Sequence, residues 1–302
     1  MKKDEIIYPE ALKPGDSIGI VSTARKISRE ELQPAIDQIK KWGFEVVLGE
    51  NLFAEHHQFA GTAEQRLSDF QQMLDNPKVR AILCARGGYG TVQIIDQIDF
   101  SKFRQNPKWI CGYSDVTVLH NHIYQNCGVT TLHSTMPINF AKNTPEALQS
   151  LYDALTGKKP KFEFTPEEGS RSGTAKGQMI GGNLSILYSL TGTPSHIDTS
   201  GQILFLEDLD EYLYHIDRMM MNLKRAGMIE NLAGLIIGGM TDMNDNTIPY
   251  GYSAKETILE HVKDYDFPVA FGFPSGHLDG NLTWVHGGEV EMEVGTNKIV
   301  VS

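Results

Sequence analysis

The sequence predicts an α/β protein whose N-terminal half forms a largely parallel sheet covered by helices on both faces. Two observations lead to this prediction. Short apolar segments alternate with helical patterns through the first half of the chain, and this βαβα order is typical of parallel sheets. A polar, turn-rich stretch then precedes a second half in which strands and helices are mixed. The 302 residues are enough for two domains, each with its own core.

The elements of the first half follow in order. Apolar runs bounded by turns predict strands at 17–22, 44–48, 79–84 and 108–112. Apolar residues spaced along one face predict a helix from about Ser28 to Trp42, and a second runs from Ala63 to Leu74, where Asn76 and Pro77 end it. Two more helices are predicted, one following the glycine-rich residues 87–90 through about Ile98 and one directly after Ser114.

The domain boundaries are predicted from the change in composition. Residues 1–155 form the first domain, 156–182 a polar and aperiodic crossover that is a candidate for a mobile loop over the site, and 183–302 the second domain. Within the second domain we expect strands at 202–206, 234–238, 269–273 and 289–294. Helices are expected near 184–190, 211–226 and 254–262.

Composition restricts the classes of partner. A formal charge of −11 argues against nucleic acid or an anionic membrane as the main partner. The N-terminal residues 1–9 contain no signal-peptide core, and no apolar run reaches the roughly 20 residues of a membrane span. Three widely spaced cysteines without a Cys-x-x-Cys pair fit a reducing compartment better than a disulfide framework or a zinc site. These features predict a soluble, cytoplasmic protein.

Ser114 lies where a predicted strand turns abruptly into a predicted helix, in the run WICGYSDVTVL at 109–119. Such a turn lifts a serine hydroxyl to the end of the sheet, where ligands of parallel sheets collect, and aims helix N–H groups at whatever the hydroxyl attacks. The sequence therefore predicts a serine hydrolase with Ser114 as nucleophile.

A serine nucleophile needs a base, and histidine is the usual one near neutral pH. His277 lies in the Gly/Pro-rich segment FGFPSGHLDGN at 271–281, directly after an apolar strand, which is how catalytic side chains are usually presented. His133 either lines the cleft or is structural. For six others a solvated or packed imidazole is the simpler interpretation: His56, His57, His120, His122, His215 and His261.

Glu207 continues the apolar strand ILFL at 203–206 and is the candidate to accept a hydrogen bond from His277. Such an acceptor fixes the tautomer of the base and stabilises the imidazolium. Asp208 and Asp210 alternatively supply a helix N-cap. For the oxyanion, the N–H of Asp115 is one natural donor and the N–H of Gly88 a second, because a residue without a side chain allows close approach.

Five short motifs occur in the order and spacing of the LD-carboxypeptidases, and the chain resembles this family over essentially its whole length. The motifs are RGGYG at 86–90, GYSD at 112–115, GGNL at 181–184, LED at 206–208 and GH at 276–277. The resemblance implies a Ser-Glu-His triad of Ser114, Glu207 and His277, together with a Rossmann-like first domain and a smaller β-rich second domain. It further implies a homodimer, with no metal and no cofactor.

The resemblance also implies the substrate, a murein tetrapeptide that loses its terminal D-alanine during peptidoglycan recycling. Arg86 is the candidate donor to the terminal carboxylate of this small peptide. Tyr89, Asn183 and His133 are the further candidate substrate contacts. Family members often carry His-Gly-Pro where this chain has HSTMP at 133–137.

Two alternatives stay open. The first is a hydrolase of peptidyl-nucleotides of the microcin C immunity type. That branch is expected to place a tryptophan in the loop between the domains, whereas the three tryptophans here are Trp42, Trp109 and Trp284, which favours the cell-wall peptide. The second is a two-domain protein that binds a small ligand without turnover.

Overall fold

The computed structural model describes residues 6–302, which divide into two compact units. The first unit contains the described residues up to Pro160 together with Asp279–His286. The second contains Lys161–Leu278 and Gly287–Ser302. Residues 1–5, which carry part of the segment that predicts the absence of a signal peptide, lie outside the described residues. Among the described residues, no helix combines the length and the apolar character that crossing a bilayer requires.

The sheet of the first unit is parallel except at one edge. Its strands are β1 (Ser17–Val21), β2 (Glu45–Leu48), β3 (Val79–Cys84), β4 (Trp109–Gly112), β5 (Thr131–His133) and β11 (Trp284–His286). Their order in space is β2-β1-β3-β4-β5-β11, and only β11 is antiparallel to its neighbour, with Trp284 opposite His133. The predicted α/β fold class with a parallel N-terminal sheet is confirmed.

The helices of the first unit are α1 (Arg29–Lys41), α2 (Ala63–Asp75), α3 (Thr117–Cys127) and α4 (Pro145–Leu155). Capping boxes begin the first two, because Ser28 and Thr62 each accept a hydrogen bond from the N–H three residues on. The apolar faces of α1 and α4 pack into a core with the inward side chains of β1 and β3.

The predicted helix that follows the glycines through Ile98 is wrong. The structure has two short 3₁₀ turns there, Thr91–Gln93 and Ile95–Gln97. Side chains from other elements hold the first turn at both ends, because Asp115 accepts the N–H of Thr91 and Arg66 donates to Oε1 of Gln93. Tertiary contacts therefore override the helical pattern of this segment.

The second unit is built on a mixed sheet. Its strands are β6 (Phe162–Phe164), β7 (Gly173–Asn183), β8 (Ile203–Leu209), β9 (Gly234–Thr241), β10 (Val269–Phe271), β12 (Gly288–Val294) and β13 (Ile299–Val301). The order is β10-β9-β8-β7-β12-β13-β6, in which β7 to β10 are parallel and the other pairings are antiparallel. The helices are α5 (Leu184–Leu190), α6 (Leu213–Arg225) and α7 (Ala254–Val262).

The segment 156–182, predicted as a crossover, carries β6 and most of β7. The first part of β7 alternates exposed and half-buried residues, and it is fully buried only from Met179 onward. Polar residues on the outer face of this strand explain its loop-like composition. The ring of Phe162 in β6 packs edge to face on Phe273, with centroids 4.8 Å apart, and Phe273 packs in the same way on Phe205 of β8 at 5.7 Å.

Candidate active site

Ser114 lies in a strained turn at the carboxyl end of β4. Its φ is 62°, in the left-handed region that side chains other than glycine rarely adopt. The 3₁₀ turn Ser114–Val116 starts at this residue and leads directly into α3. Backbone strain of this kind costs on the order of 1–3 kcal/mol and is concentrated at functional sites. This geometry is that of a nucleophile elbow.

Two glycines make room for this turn. A Cβ on Gly112, whose φ is 155°, would lie 2.8 Å from Cγ2 of Val116 in the turn that follows. A Cβ on Gly87 would lie 3.0 Å from Cβ and 3.1 Å from Oγ of Ser114. The backbone of residue 87 therefore runs directly against the serine side chain, and a larger residue there would displace the hydroxyl, whereas one at position 112 would press on Val116 in the turn.

The glycine loop (residues 86–90) follows β3 and carries three of the predicted residues. Gly88 has a φ of 109°, and a Cβ there would lie 2.2 Å from Cδ of Arg25, so this position requires glycine. Tyr89 is 49% exposed, and its ring lies 6.3 Å from that of Phe59. Arg86 is partly exposed, donates to the carbonyl oxygen of Lys26 at 3.3 Å and lies 3.8 Å from Glu31.

Asp115 provides a backbone N–H in the first turn of this helical segment, where amide donors lack intrahelical acceptors. Its side chain is buried and accepts a hydrogen bond from the N–H of Thr91 at 2.9 Å. Burial raises the pKa of this carboxyl, although hydrogen bonds from Thr91 and Gly90 and the positive charge of Arg66 oppose the rise.

His133 lies in the interior of the first unit. It is fully buried at the end of β5, and its ring stacks on that of Trp284 with centroids 5.0 Å apart. His120, which is also fully buried, contacts the carbonyl oxygen of Gly112 through Nε2 at 2.9 Å. Burial lowers the pKa of His120 to about 4, so the ring is neutral at physiological pH and supports the turn that carries Ser114 from behind.

Glu207 and His277 form a buried hydrogen-bonded pair in the second unit. Oε2 of Glu207 lies 2.6 Å from Nδ1 of His277 and also accepts the backbone N–H of His277 at 3.2 Å. The Glu207 side chain is fully buried, and that of His277 is 14% exposed. A proton on Nδ1 that is held by the carboxylate leaves Nε2 as an acceptor, which is the tautomer a general base requires.

The local backbone explains why these two side chains meet. The pairing of β8 with β9 shifts register between Leu206 and Asp208, so an extra residue of β9 lies opposite Glu207. This irregularity falls at the glycine pair 238–239, where the N–H of Gly239 donates to the carbonyl oxygen of Ser275 at 3.0 Å. The bulge thus anchors the turn that presents His277.

The pKa of His277 is raised above its ordinary value. Burial lowers it, but the negative charge of Glu207 and the hydrogen bond to that carboxylate together outweigh burial, and Asp208 adds a smaller effect. The imidazolium is therefore stabilised, a property that suits a candidate general base.

Asn183 has a structural role in the second unit. It is the N-cap of α5, where its Oδ1 accepts the N–H of Ile186, and its Nδ2 donates to Asp208 at 2.9 Å. Asp208 also accepts the N–H of Ser185, so it supports the start of α5 rather than capping the next helix, whose N-cap is Tyr212. Burial and the charge of Glu207 raise the pKa of Asp208 to about 7.

The structure thus pairs Glu207 with His277 in the second unit and sets Ser114 against Gly87 in the first. Sequence reasoning missed the residues that hold these groups, namely Gly87, Gly276, the glycine pair 238–239 and the Asp115 carboxylate. The glycines were visible in the sequence, but only the positions of their neighbours reveal the role. Within residues 6–302 no group of three or more His, Cys, Asp or Glu side chains is arranged to hold a metal ion.

Comparison with known proteins identifies two family domains along the chain. The LD-carboxypeptidase N-terminal domain matches residues 18–134, and the LD-carboxypeptidase C-terminal domain matches residues 176–292.

Individual proteins match over nearly the full chain. The probable murein peptide carboxypeptidase of Bacillus subtilis (strain 168) is 34% identical over 302 residues, covering 97% of this chain and 93% of the relative. The crystal structure of muramoyltetrapeptide carboxypeptidase from Oxalobacter formigenes matches with a TM-score of 0.87 at 26% identity, covering 94% of this chain and 97% of that chain. The Microcin C7 self-immunity protein MccF of Escherichia coli is 24% identical over 329 residues, covering 96% of this chain and 94% of the relative.

Proposed function

This chain belongs to the LD-carboxypeptidase family of peptidase hydrolases, and we propose that it is a serine carboxypeptidase that removes the terminal D-alanine from murein tetrapeptide. The scissile bond joins an L-centre diamino acid to D-alanine. The observation that carries the proposal is the positive φ of Ser114 at the end of β4. An unstrained residue would serve better if this position only had to start the helical segment, so the strain indicates a functional role for the serine.

In the proposed mechanism, Oγ of Ser114 attacks the carbonyl carbon while Nε2 of His277 takes the hydroxyl proton. The imidazolium then gives this proton to the departing nitrogen of D-alanine, and an acyl ester on Ser114 remains. Nε2 of His277 then takes a proton from water, and the resulting hydroxide attacks the acyl ester. The imidazolium returns its proton to Oγ as the ester bond breaks. Glu207 keeps Nδ1 protonated and stabilises the imidazolium in both steps, a role that its 2.6 Å contact with Nδ1 supports.

We propose the N–H groups of Gly88 and Asp115 as donors to the tetrahedral oxyanion. Support for Gly88 comes from its neighbour Gly87, whose backbone runs against the serine side chain. Support for Asp115 is its position directly after the nucleophile in the first turn of the helical segment.

Substrate contacts form the second part of the proposal. Arg86 is the proposed partner of the terminal carboxylate, since its guanidinium is partly exposed and its ion pair with Glu31, at 3.8 Å, is long. Tyr89, three residues further along the same loop, offers an exposed ring. Asn183 and His133 are buried, so we propose that they act on binding indirectly, Asn183 as the N-cap of α5 and His133 through its ring stacked on Trp284.

The proposed setting is the cytoplasm, where murein fragments are recycled, and the proposed assembly is a homodimer. The three cysteines are all free and buried, as thiols of a reducing compartment are expected to be. Fluorescence microscopy of a tagged chain tests the location, and sedimentation velocity of the purified chain tests the assembly.

The test of the activity is release of D-alanine from the tetrapeptide by the purified chain, measured by mass spectrometry. Ser114→Ala is expected to abolish release, whereas the control Ser68→Ala, at an exposed serine of α2 in the same unit, is expected to leave it unchanged. Activity that survives Ser114→Ala would exclude Ser114 as the nucleophile.

A second substrate separates the main alternative. The match to the microcin self-immunity protein supports a peptidyl-nucleotide as the competing substrate. We expect the tetrapeptide to be preferred, because the three tryptophans lie outside the segment in which a base-stacking tryptophan is expected. A tenfold higher kcat/KM for an aminoacyl-nucleotide would reverse this ranking. Failure of a fluorophosphonate probe to label Ser114 would instead favour a protein that binds a ligand without turnover.

A further inference from the structure

The side chain of Asp115 makes a contact that the proposed chemistry does not use. Oδ2 accepts the N–H of Thr91 at 2.9 Å, across 24 residues of sequence. The residue is 1% exposed, and Oδ1 has no hydrogen-bond partner among the described residues. Burying a carboxylate is costly unless it is hydrogen-bonded and paired with a positive charge, so the contacts of this side chain require an explanation.

Thr91 directly follows the glycine loop, so whatever fixes Thr91 fixes the end of that loop. Its Oγ1 donates to Oγ1 of Thr23 at 2.8 Å, and a Cβ on Gly90 would lie 2.8 Å from Cα of Ala24. The loop end is therefore pressed against the segment that follows β1 on one side and held by Asp115 on the other.

We propose that Asp115 is a positioning residue for acyl transfer, whose buried side chain ties the glycine loop to the Ser114 turn and so sets the distance from the Gly88 N–H to the serine. The inference rests on the proposed function and deepens it. One residue would then align both oxyanion donors, the first through its own N–H and the second through its carboxylate.

The charge balance around Asp115 supports this role. Arg66 is also buried, and its positive charge acts favourably on Asp115. The guanidinium donates to the carbonyl oxygen of Gly61 at 2.8 Å and to Oε1 of Gln93 at 2.6 Å. Since Gln93 belongs to the same 3₁₀ turn as Thr91, Arg66 both balances the carboxylate and holds the turn that the carboxylate binds. A charged acceptor also makes a stronger bond to an amide than a neutral one.

The test compares Asp115→Ala and Asp115→Asn with a matched control. Asp69 in α2 is 2% exposed, lies in the same unit and likewise accepts a backbone N–H, that of Asn51 at 2.9 Å, so Asp69→Asn removes a comparable buried carboxylate that holds a different segment. Each variant is assayed for D-alanine release at varied tetrapeptide concentration, and folding is checked by thermal unfolding. Ser114→Ala is assayed in parallel.

We expect Asp115→Ala to lower kcat by about 10²–10³-fold, the effect of losing an oxyanion donor, with KM within about threefold of wild type. Asp115→Asn should lose less, because the amide oxygen still accepts the Thr91 N–H. Asp69→Asn should keep wild-type kcat. A kcat for Asp115→Ala within threefold of wild type, or a loss confined to KM, would overturn the inference. Activity in Ser114→Ala would instead overturn the proposed function.

Hydrogen exchange gives a second readout should Asp115→Ala fail to fold. In Asp115→Asn, whose neutral amide oxygen binds the Thr91 N–H more weakly than the carboxylate does, amide exchange over residues 87–93 should be faster than in wild type, while the segment around Asn51 keeps its protection. Wild-type exchange over 87–93 together with wild-type kcat in this variant would overturn the inference.

Discussion

Replacing Gly276 by alanine tests how strictly the imidazole of His277 depends on the turn that carries it. Gly276 has a φ of 112°, and a Cβ there would lie 2.8 Å from Cβ, 2.9 Å from Oε2 and 3.0 Å from Cγ of Glu207. Because the Glu207 side chain is fully buried and already bonded to His277, it has no room to withdraw. The methyl group therefore displaces either the carboxylate or the turn.

The expected cost has two parts. A left-handed conformation costs an alanine roughly 1–2 kcal/mol, and forcing an extra methyl into a packed interior costs typically about 1–3 kcal/mol more. We expect Gly276→Ala to lower the free energy of unfolding by about 2–5 kcal/mol. Displacement of a catalytic group by about 1 Å can cost on the order of 10²-fold in rate, so kcat should fall by about that factor.

Gly251→Ala is the matched control. Gly251 has a φ of 98°, and nothing lies within 4 Å of a Cβ built there, so this variant carries the backbone cost without the contact. Urea unfolding and D-alanine release are measured for both variants. We expect Gly251→Ala to lower the free energy of unfolding by about 1–2 kcal/mol and to keep wild-type activity. If Gly276→Ala matched Gly251→Ala in both stability and kcat, the argument that this glycine exists to let Glu207 reach His277 would be refuted.

Further results are expected at three residues, His277, Asp208 and Ser114. The pKa of His277 is raised above 6.5, and only the neutral ring is a base, so kcat/KM should fall as pH drops through that raised pKa. Glu207→Gln should move this fall to lower pH. An unshifted profile would contradict the effect of Glu207 on the pKa of His277. The raised pKa of His277 also contributes to the stability of the folded chain. This contribution is fully present below pH 6.5 and is lost as pH rises through the pKa of His277 in the folded chain. Burial raises the pKa of Asp208 from 3.8 to about 7, so its ionisation should destabilise the folded chain as pH rises through this range, and the fall in Tm between pH 5 and pH 8 should be smaller in Asp208→Asn than in wild type. Ser114→Gly should unfold with a free energy about 1 kcal/mol higher than Ser114→Ala, because glycine relieves the φ of 62°; equal stabilities would show that the turn is unstrained.

Local pattern was enough for much of the fold. The strand at 79–84 and the helices at 184–190 and 254–262 have the bounds that periodicity predicts, because each is a clean apolar run or an amphipathic stretch with its own cap. The edge strand β11 was missed, since three residues carry no period and its pairing with β5 spans about half the chain. The long strand β7 was missed because its outer face is polar.

The candidate site divides in the same way. Ser114, Glu207 and His277 stand out because each polar side chain interrupts an apolar or glycine-rich context at a strand end. The supporting groups carry no such signal. Nothing in the local sequence indicates that the side chain of Asp115 reaches Thr91, or that an extra residue of β9 lies opposite Glu207, because both depend on register between distant segments.

The excursion of Asp279–His286 into the first unit has a consequence for dissecting the protein. The two units are not continuous in sequence. The chain returns to the first unit at Asp279, two residues after His277, and re-enters the second unit at Gly287. A fragment that ends at Pro160 would lack β11 and with it the Trp284 ring that stacks on His133. Strand β5 would then be an unpaired edge strand, which promotes aggregation. Exchange of units between homologues therefore needs three splice points, after Pro160, after Leu278 and after His286, so that the eight residues 279–286 stay with the first unit.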